Sequence, residues 1–123
     1  EERDMAALLS GETSDPRERR LARFGPTTLY HQTDPDSAKL ILDSGRMFRG
    51  SAGALGGGIY FAGTPADTDR KALRKGVVLE CSVKLGRMKR LTACDTSITF
   101  TQLQREGFDS VFYGGFPSGP EYV

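Results

Sequence analysis

Apolar residues come in short bursts along this chain, each bounded by glycine, proline or charge. Residues 27–31, Thr-Thr-Leu-Tyr-His, mix β-branched and aromatic side chains and predict a strand. Asp34-Pro35-Asp36-Ser37 then has the chemistry of a helix start, with a capping acid, a proline at the first helical position and a second acid in the first turn. Ala38, Ile41 and Leu42 share one face of that helix, and Gly45 is its natural stop. Residues 46–58 read as a loop with glycines at 50, 53, 56, 57 and 58. A loop of that length inside a small domain is more often functional than idle. It runs into Ile59-Tyr60-Phe61-Ala62, so Tyr60 is expected at the start of a strand.

Thr64-Pro65 opens a second helix over residues 66–74, ended by Gly76. Residues 77–85 are nearly all apolar at first and alternate later, which predicts a centrally placed strand. Residues 87–91 continue it or form a following edge strand. A short helix over 99–105 turns Phe100 and Leu103 inward and stops at Gly107; residues 109–113 form another strand, and Glu121 begins a last one. Strands outnumber helices and the helices are short, so the expected class is α+β with a mostly antiparallel sheet.

Residues 1–26 are different in kind. Residues 5–9 could make a helical turn or two, while 10–23 are polar and carry Arg17, Arg19, Arg20 and Arg23. The segment is expected to be a solvated arm or linker, partly helical, with a phosphate-binding arm as the sharper alternative. Residues 27–123 form the single expected domain. With 17 Lys and Arg against 16 Asp and Glu, the formal charge of +1 supplies no global field for nucleic acid or anionic membrane. No apolar run reaches bilayer length, and Glu1-Glu2-Arg3-Asp4 is too charged for a signal peptide, so a cytoplasmic location off the membrane is expected, with the nucleus left open. Cys81 and Cys94 make neither a disulfide framework nor a zinc quartet, and no metal is expected. There is no phosphate-binding GxxxxGK[ST] loop, and one histidine favours no Ser-His-Asp arrangement.

Three positions at element edges keep chemical interest: His31, Tyr60 and Glu121. Their ordinary readings are a hydrogen-bonded histidine, a core tyrosine and a solvated turn acid. Together with their neighbours they resemble something more specific. His31-Gln32-Thr33, Gly58-Ile59-Tyr60-Phe61-Ala62 and Glu121-Tyr122-Val123 stand in the order of the His-Tyr-Glu signature of poly(ADP-ribose)-polymerase-like ADP-ribosyltransferases. Residues 77–86 and 107–111 are similar to the family's intervening segments, and the likeness covers residues 27–123, closest to small domains such as the one in neuralized-like proteins.

The resemblance implies a split, curved sheet with short helices around an NAD+ cleft, and a monomeric enzyme that uses NAD+ as co-substrate. In it, His31 would hold ribose hydroxyls, Gln32 backbone groups would hold the nicotinamide carboxamide, and Tyr60 would pack on the nicotinamide ring. Glu121 would hold the ribose 2′-hydroxyl and stabilise the oxocarbenium-like transition state. Thr33 and Gly58 belong to the same binding segments; Thr64 or Thr68 would bond the carboxamide, and Arg49 and Ser51 would touch pyrophosphate or ribose. This chain departs from the family in three ways. Gln32 stands where glycine is common, and its side chain is expected to crowd the site. Residues 64–75 hold no second stacking aromatic. Gly119 occupies the place of the extra acid of arginine-specific members, which makes arginine a poor acceptor. The implied activity is mono-ADP-ribosylation of a protein acceptor, with nucleic acid as a further option. The rivals are an NAD+ glycohydrolase, an inactive NAD+ or ADP-ribose reader, a relative acting on phosphorylated RNA ends, and an unrelated α+β interaction domain.

Overall fold

Local capping chemistry sets most element ends in the structure, a computed structural model that describes residues 15–48, 50, 53–116 and 119–123. The Asp15 carboxylate accepts from the Arg17 N–H at 2.9 Å and opens helix α1, Pro16–Phe24. Strand β1 follows at Thr27–Thr33. Asp34 caps helix α2, Pro35–Ser44, by accepting from the Ser37 N–H at 2.8 Å, and left-handed Gly45 ends it. Strand β2 is only Phe61–Ala62. Thr64 then caps helix α3, Pro65–Lys71. Strands β3, Val77–Val83, and β4, Met88–Leu91, precede helix α4, Phe100–Glu106. Strands β5, Ser110–Tyr113, and β6, Glu121–Tyr122, complete the order.

The strands make one six-stranded sheet in the order β3-β1-β2-β6-β5-β4. Every pairing is antiparallel except β4 with β5. The class is therefore α+β, with a mixed sheet. Pairing is continuous from edge to edge rather than split as expected, but its middle is narrow. β2 and β6 contribute two residues each, because Gly58 and Pro65 flank one while Gly119 and Pro120 precede the other.

Three further expectations are corrected. Strand β3 lies at an edge, paired only with β1. Its apolar opening is not buried on both faces: exposure alternates along it, and Val78 is 42 % exposed. Helix α3 stops at Lys71 instead of running to 74, because Ala72 is already extended. On α2 the inner face is narrower than the pattern suggested: Ala38 is buried and Leu42 is exposed. Residues 5–9 lie outside the described residues.

The core forms two apolar clusters. One gathers Leu55, Ile98, Leu103 and Val111; the other gathers Leu29, Phe61 and Leu85. Helix α1 buries no residue of its own, yet it is fastened to the body. The Arg20 guanidinium donates twice to the Asp109 carboxylate at 2.8 Å, and Arg17 lies over the Phe100 ring. Asp109 also accepts from the Arg87 N–H at 2.9 Å. Burial alone would raise the Asp109 carboxyl, but these donors and the Arg20 charge outweigh it and hold its pKa below the usual carboxylate value. A carboxylate lowered in the folded state stabilises above its unfolded pKa, about 4, and that contribution fades as pH falls through the folded value. Asp109→Asn is therefore expected to melt below wild type at pH 7, with the gap closing as pH falls through the lowered pKa of the folded carboxyl. Thermal melts of both chains across that range check it.

Candidate functional site

Residues far apart in sequence meet because their strands are neighbours. Tyr30 pairs with Ala62 across β1 and β2, and Ala62 pairs with Glu121 across β2 and β6. Next to these pairs, His31 of β1, Tyr60 and Glu121 of β6 line one cleft of about 950 Å³; Tyr60 stands in the loop just before β2 rather than at the start of the strand. That volume is at the upper end of what small-molecule and cofactor sites enclose.

Each of the three side chains has a defined setting. His31 Nδ1 lies 2.8 Å from the Tyr60 carbonyl oxygen. A carbonyl can only accept, so Nδ1 carries the proton and Nε2 is the remaining acceptor of the neutral ring. The Tyr60 hydroxyl donates to the Gly56 carbonyl at 2.6 Å and accepts from the Leu55 N–H at 2.8 Å. Burial first, with the nearby Glu121 charge, keeps the phenol above its ordinary pKa, against the bond from Leu55. The glycine loop thus clasps the tyrosine from its far end. Two glycines make that clasp sterically feasible: a Cβ at Gly53 would strike the Tyr60 phenol, and at Gly56, with φ +87°, a Cβ would strike the Ile98 carbonyl.

Glu121 is buried. Its carboxylate accepts from Lys71 Nζ at 2.8 Å. Burial dominates and raises the Glu121 pKa above the usual carboxylate value; the Lys71 bond and charge, then His31, pull the other way. Lys71 also donates to the Gly119 carbonyl at 2.7 Å and lies over the Phe116 ring, 5.1 Å from its centroid.

Gln32 lines the cleft as well, with its side-chain amide tied to neighbouring elements. Nε2 donates to Thr68 Oγ1 and Asp69 Oδ1, both at 2.8 Å, and Oε1 accepts from the Gly76 N–H at 3.2 Å. The amide is spent joining β1 to α3 and to the turn before β3. Gln32→Leu is expected to lose about 1–2 kcal/mol, because it removes the bond to the buried Thr68 hydroxyl together with two less buried ones. Chemical denaturation read by circular dichroism measures it.

Thr33, Gly58 and Thr68 line the cleft with the three central residues. Thr68 Oγ1 donates to the Pro65 carbonyl at 2.6 Å while accepting from Gln32. Thr64 lies outside the lining: its Oγ1 caps α3 by accepting from the Asp67 N–H at 3.2 Å. Arg49 and Ser51 lie outside the described residues. Among the lining residues that sequence reasoning missed are Lys71 and Phe116. Lys71 read as one more charge on a solvated helix, and Phe116 as part of a Gly/Pro loop; only the aromatic character of Phe116 was a signal.

Comparisons with family models, with curated proteins and with solved structures return no match to this chain. Among the described residues, no group of three or more His, Cys, Asp or Glu is placed to hold a metal ion. Nor is any described helix long and apolar enough to cross a membrane.

Proposed function

We propose that the cleft binds NAD+, cleaves its nicotinamide glycosidic bond and passes ADP-ribose to an acceptor, as a mono-ADP-ribosyltransferase of the His-Tyr-Glu kind. The observation that carries this reading is the convergence of His31 from β1, Tyr60 from the loop before β2 and Glu121 from β6 on one cleft. The six-stranded sheet is read accordingly as an ADP-ribosyltransferase fold with a narrow waist beneath the site.

The chemistry follows from the side chains. His31 offers Nε2 as an acceptor for a ribose hydroxyl, since Nδ1–H is engaged with the Tyr60 carbonyl. The Tyr60 ring gives the cationic nicotinamide an aromatic face, and Phe116 brings a second aromatic to the same cleft. As the glycosidic bond breaks, positive charge develops on the ribose. The Glu121 carboxylate, held to the 2′-hydroxyl, stabilises that charge in a largely buried setting where electrostatic interactions are strong. Nicotinamide leaves as a neutral ring, and the acceptor's nucleophile attacks C1′ and gives up its proton. A protein side chain is the favoured acceptor, with nucleic acid as an option; water would make the same machinery a glycohydrolase.

The test is nicotinamide release from NAD+, measured alongside NAD+ binding by calorimetry. Binding with release, and ADP-ribose recovered on an acceptor, is the expected result. Free ADP-ribose alone would make the protein a glycohydrolase, and binding without release a reader. Absence of both would overturn the reading.

A further inference from the structure

Lys71 is the basic residue bonded to the Glu121 carboxylate, and it comes from a different element. The two side chains are only 10 % and 8 % exposed. Besides the carboxylate, the ammonium reaches the Gly119 carbonyl and the Phe116 face, so one cation touches α3, the segment entering β6 and β6 itself. We propose that Lys71 is a positioning residue of the cleft: its ammonium keeps Glu121 ionised and fixes the carboxylate against the wall of α3.

The argument is electrostatic. A carboxylate taken out of water resists ionisation unless a partner compensates it. Among the described residues, two cations act on this carboxylate, and Lys71 is the stronger, through a hydrogen bond as well as charge. The other is His31 of β1, which acts through charge alone. Before β2 comes Tyr60, whose hydroxyl is engaged with the glycine loop. Tyr113 of β5 is its cross-strand neighbour, and Asp67 of α3, beside Gly119, adds negative charge. Removing the ammonium leaves a buried carboxylate with no strong cation, and protonation is its cheapest escape.

The consequence for turnover rests on the ADP-ribosyltransferase reading; the consequence for the carboxylate does not. The experiment is therefore a carbon-13 NMR titration of the Glu121 carboxyl in wild type, Lys71→Gln and Lys71→Arg, with nicotinamide release followed over the same pH range. Lys71→Gln is expected to move the titration upward by about one pH unit or more, while Lys71→Arg stays close to wild type. The acid limb of release should move with the titration, in kcat rather than in KM. An unmoved titration in Lys71→Gln overturns the proposal. A moved titration with no release from any of the three chains keeps the role of Lys71 and removes the enzymatic reading. If Lys71→Gln does not fold, the Lys71→Gln/Glu121→Gln double variant decides. Recovery of the fold in the double variant supports charge compensation, and its absence overturns it.

Discussion

Glu121→Gln is expected to release nicotinamide at least about 100-fold more slowly than wild type, with NAD+ binding kept within a few-fold. The substitution preserves shape and removes the charge. If Glu121 meets the ribose mainly as charge develops, the loss falls on kcat and spares affinity. The carboxylate also answers Lys71 at 2.8 Å, so the variant leaves an ammonium facing an amide oxygen. A stability measurement on the same preparation therefore belongs beside the kinetics. A parallel collapse of binding and folding would assign Glu121 a structural duty. Release at the wild-type rate from a folded variant would remove it from the chemistry.

The second large effect is expected far from any charge. Gly56→Ala should cost about 2–5 kcal/mol, combining a left-handed backbone with crowding against a neighbouring main chain. Gly56 has φ +87°, and an added Cβ would press on the Ile98 carbonyl, which as backbone cannot rotate aside. Leu55 beside it is fully buried in the first core cluster, so the loop has little room to shift. A melting temperature lower by about 10–20 °C is the expected reading for a domain of this size. Gly63→Ala is the control: its Cβ would meet only the Tyr122 ring, at an ordinary 3.7 Å, and should change little. Because the Tyr60 hydroxyl donates to the Gly56 carbonyl, the damaged loop should also loosen the tyrosine, and NAD+ affinity should fall with stability.

What could be read from the chain was what local chemistry decides. Asp34 and Gly45 mark the ends of α2, and Thr99 and Gly107 those of α4, because caps and stops act over a few residues. The first strand was legible from its side chains over 27–31, two residues short of its end at Thr33. The place of β3 was not: its apolar start looks central, and only pairing with β1 alone puts it at the edge. The continuity of the sheet was equally hidden, since two-residue strands leave almost no periodic signal. Within the cleft, His31, Tyr60 and Glu121 could be picked out because their residue types are chemically pointed and sit at element edges. Lys71 could not, because nothing in residues 64–72 says that the last turn of α3 faces a buried carboxylate from β6. The fate of Gln32 was illegible for the same reason: its partners at 68, 69 and 76 come from elements whose packing no local pattern states.

The position of β6 has a consequence for how the protein comes into being. It follows the other described strands in sequence but sits inside the sheet, between β2 and β5. A nascent chain can pair β1 with β3 early, yet the middle of the sheet stays open until residues 121 and 122 have been synthesised and inserted. Such long-range closure is the slow part of assembling a β structure. Glu121 enters with that strand, so the carboxylate on which the proposed chemistry depends reaches its place only after the strands that precede it in sequence have been made.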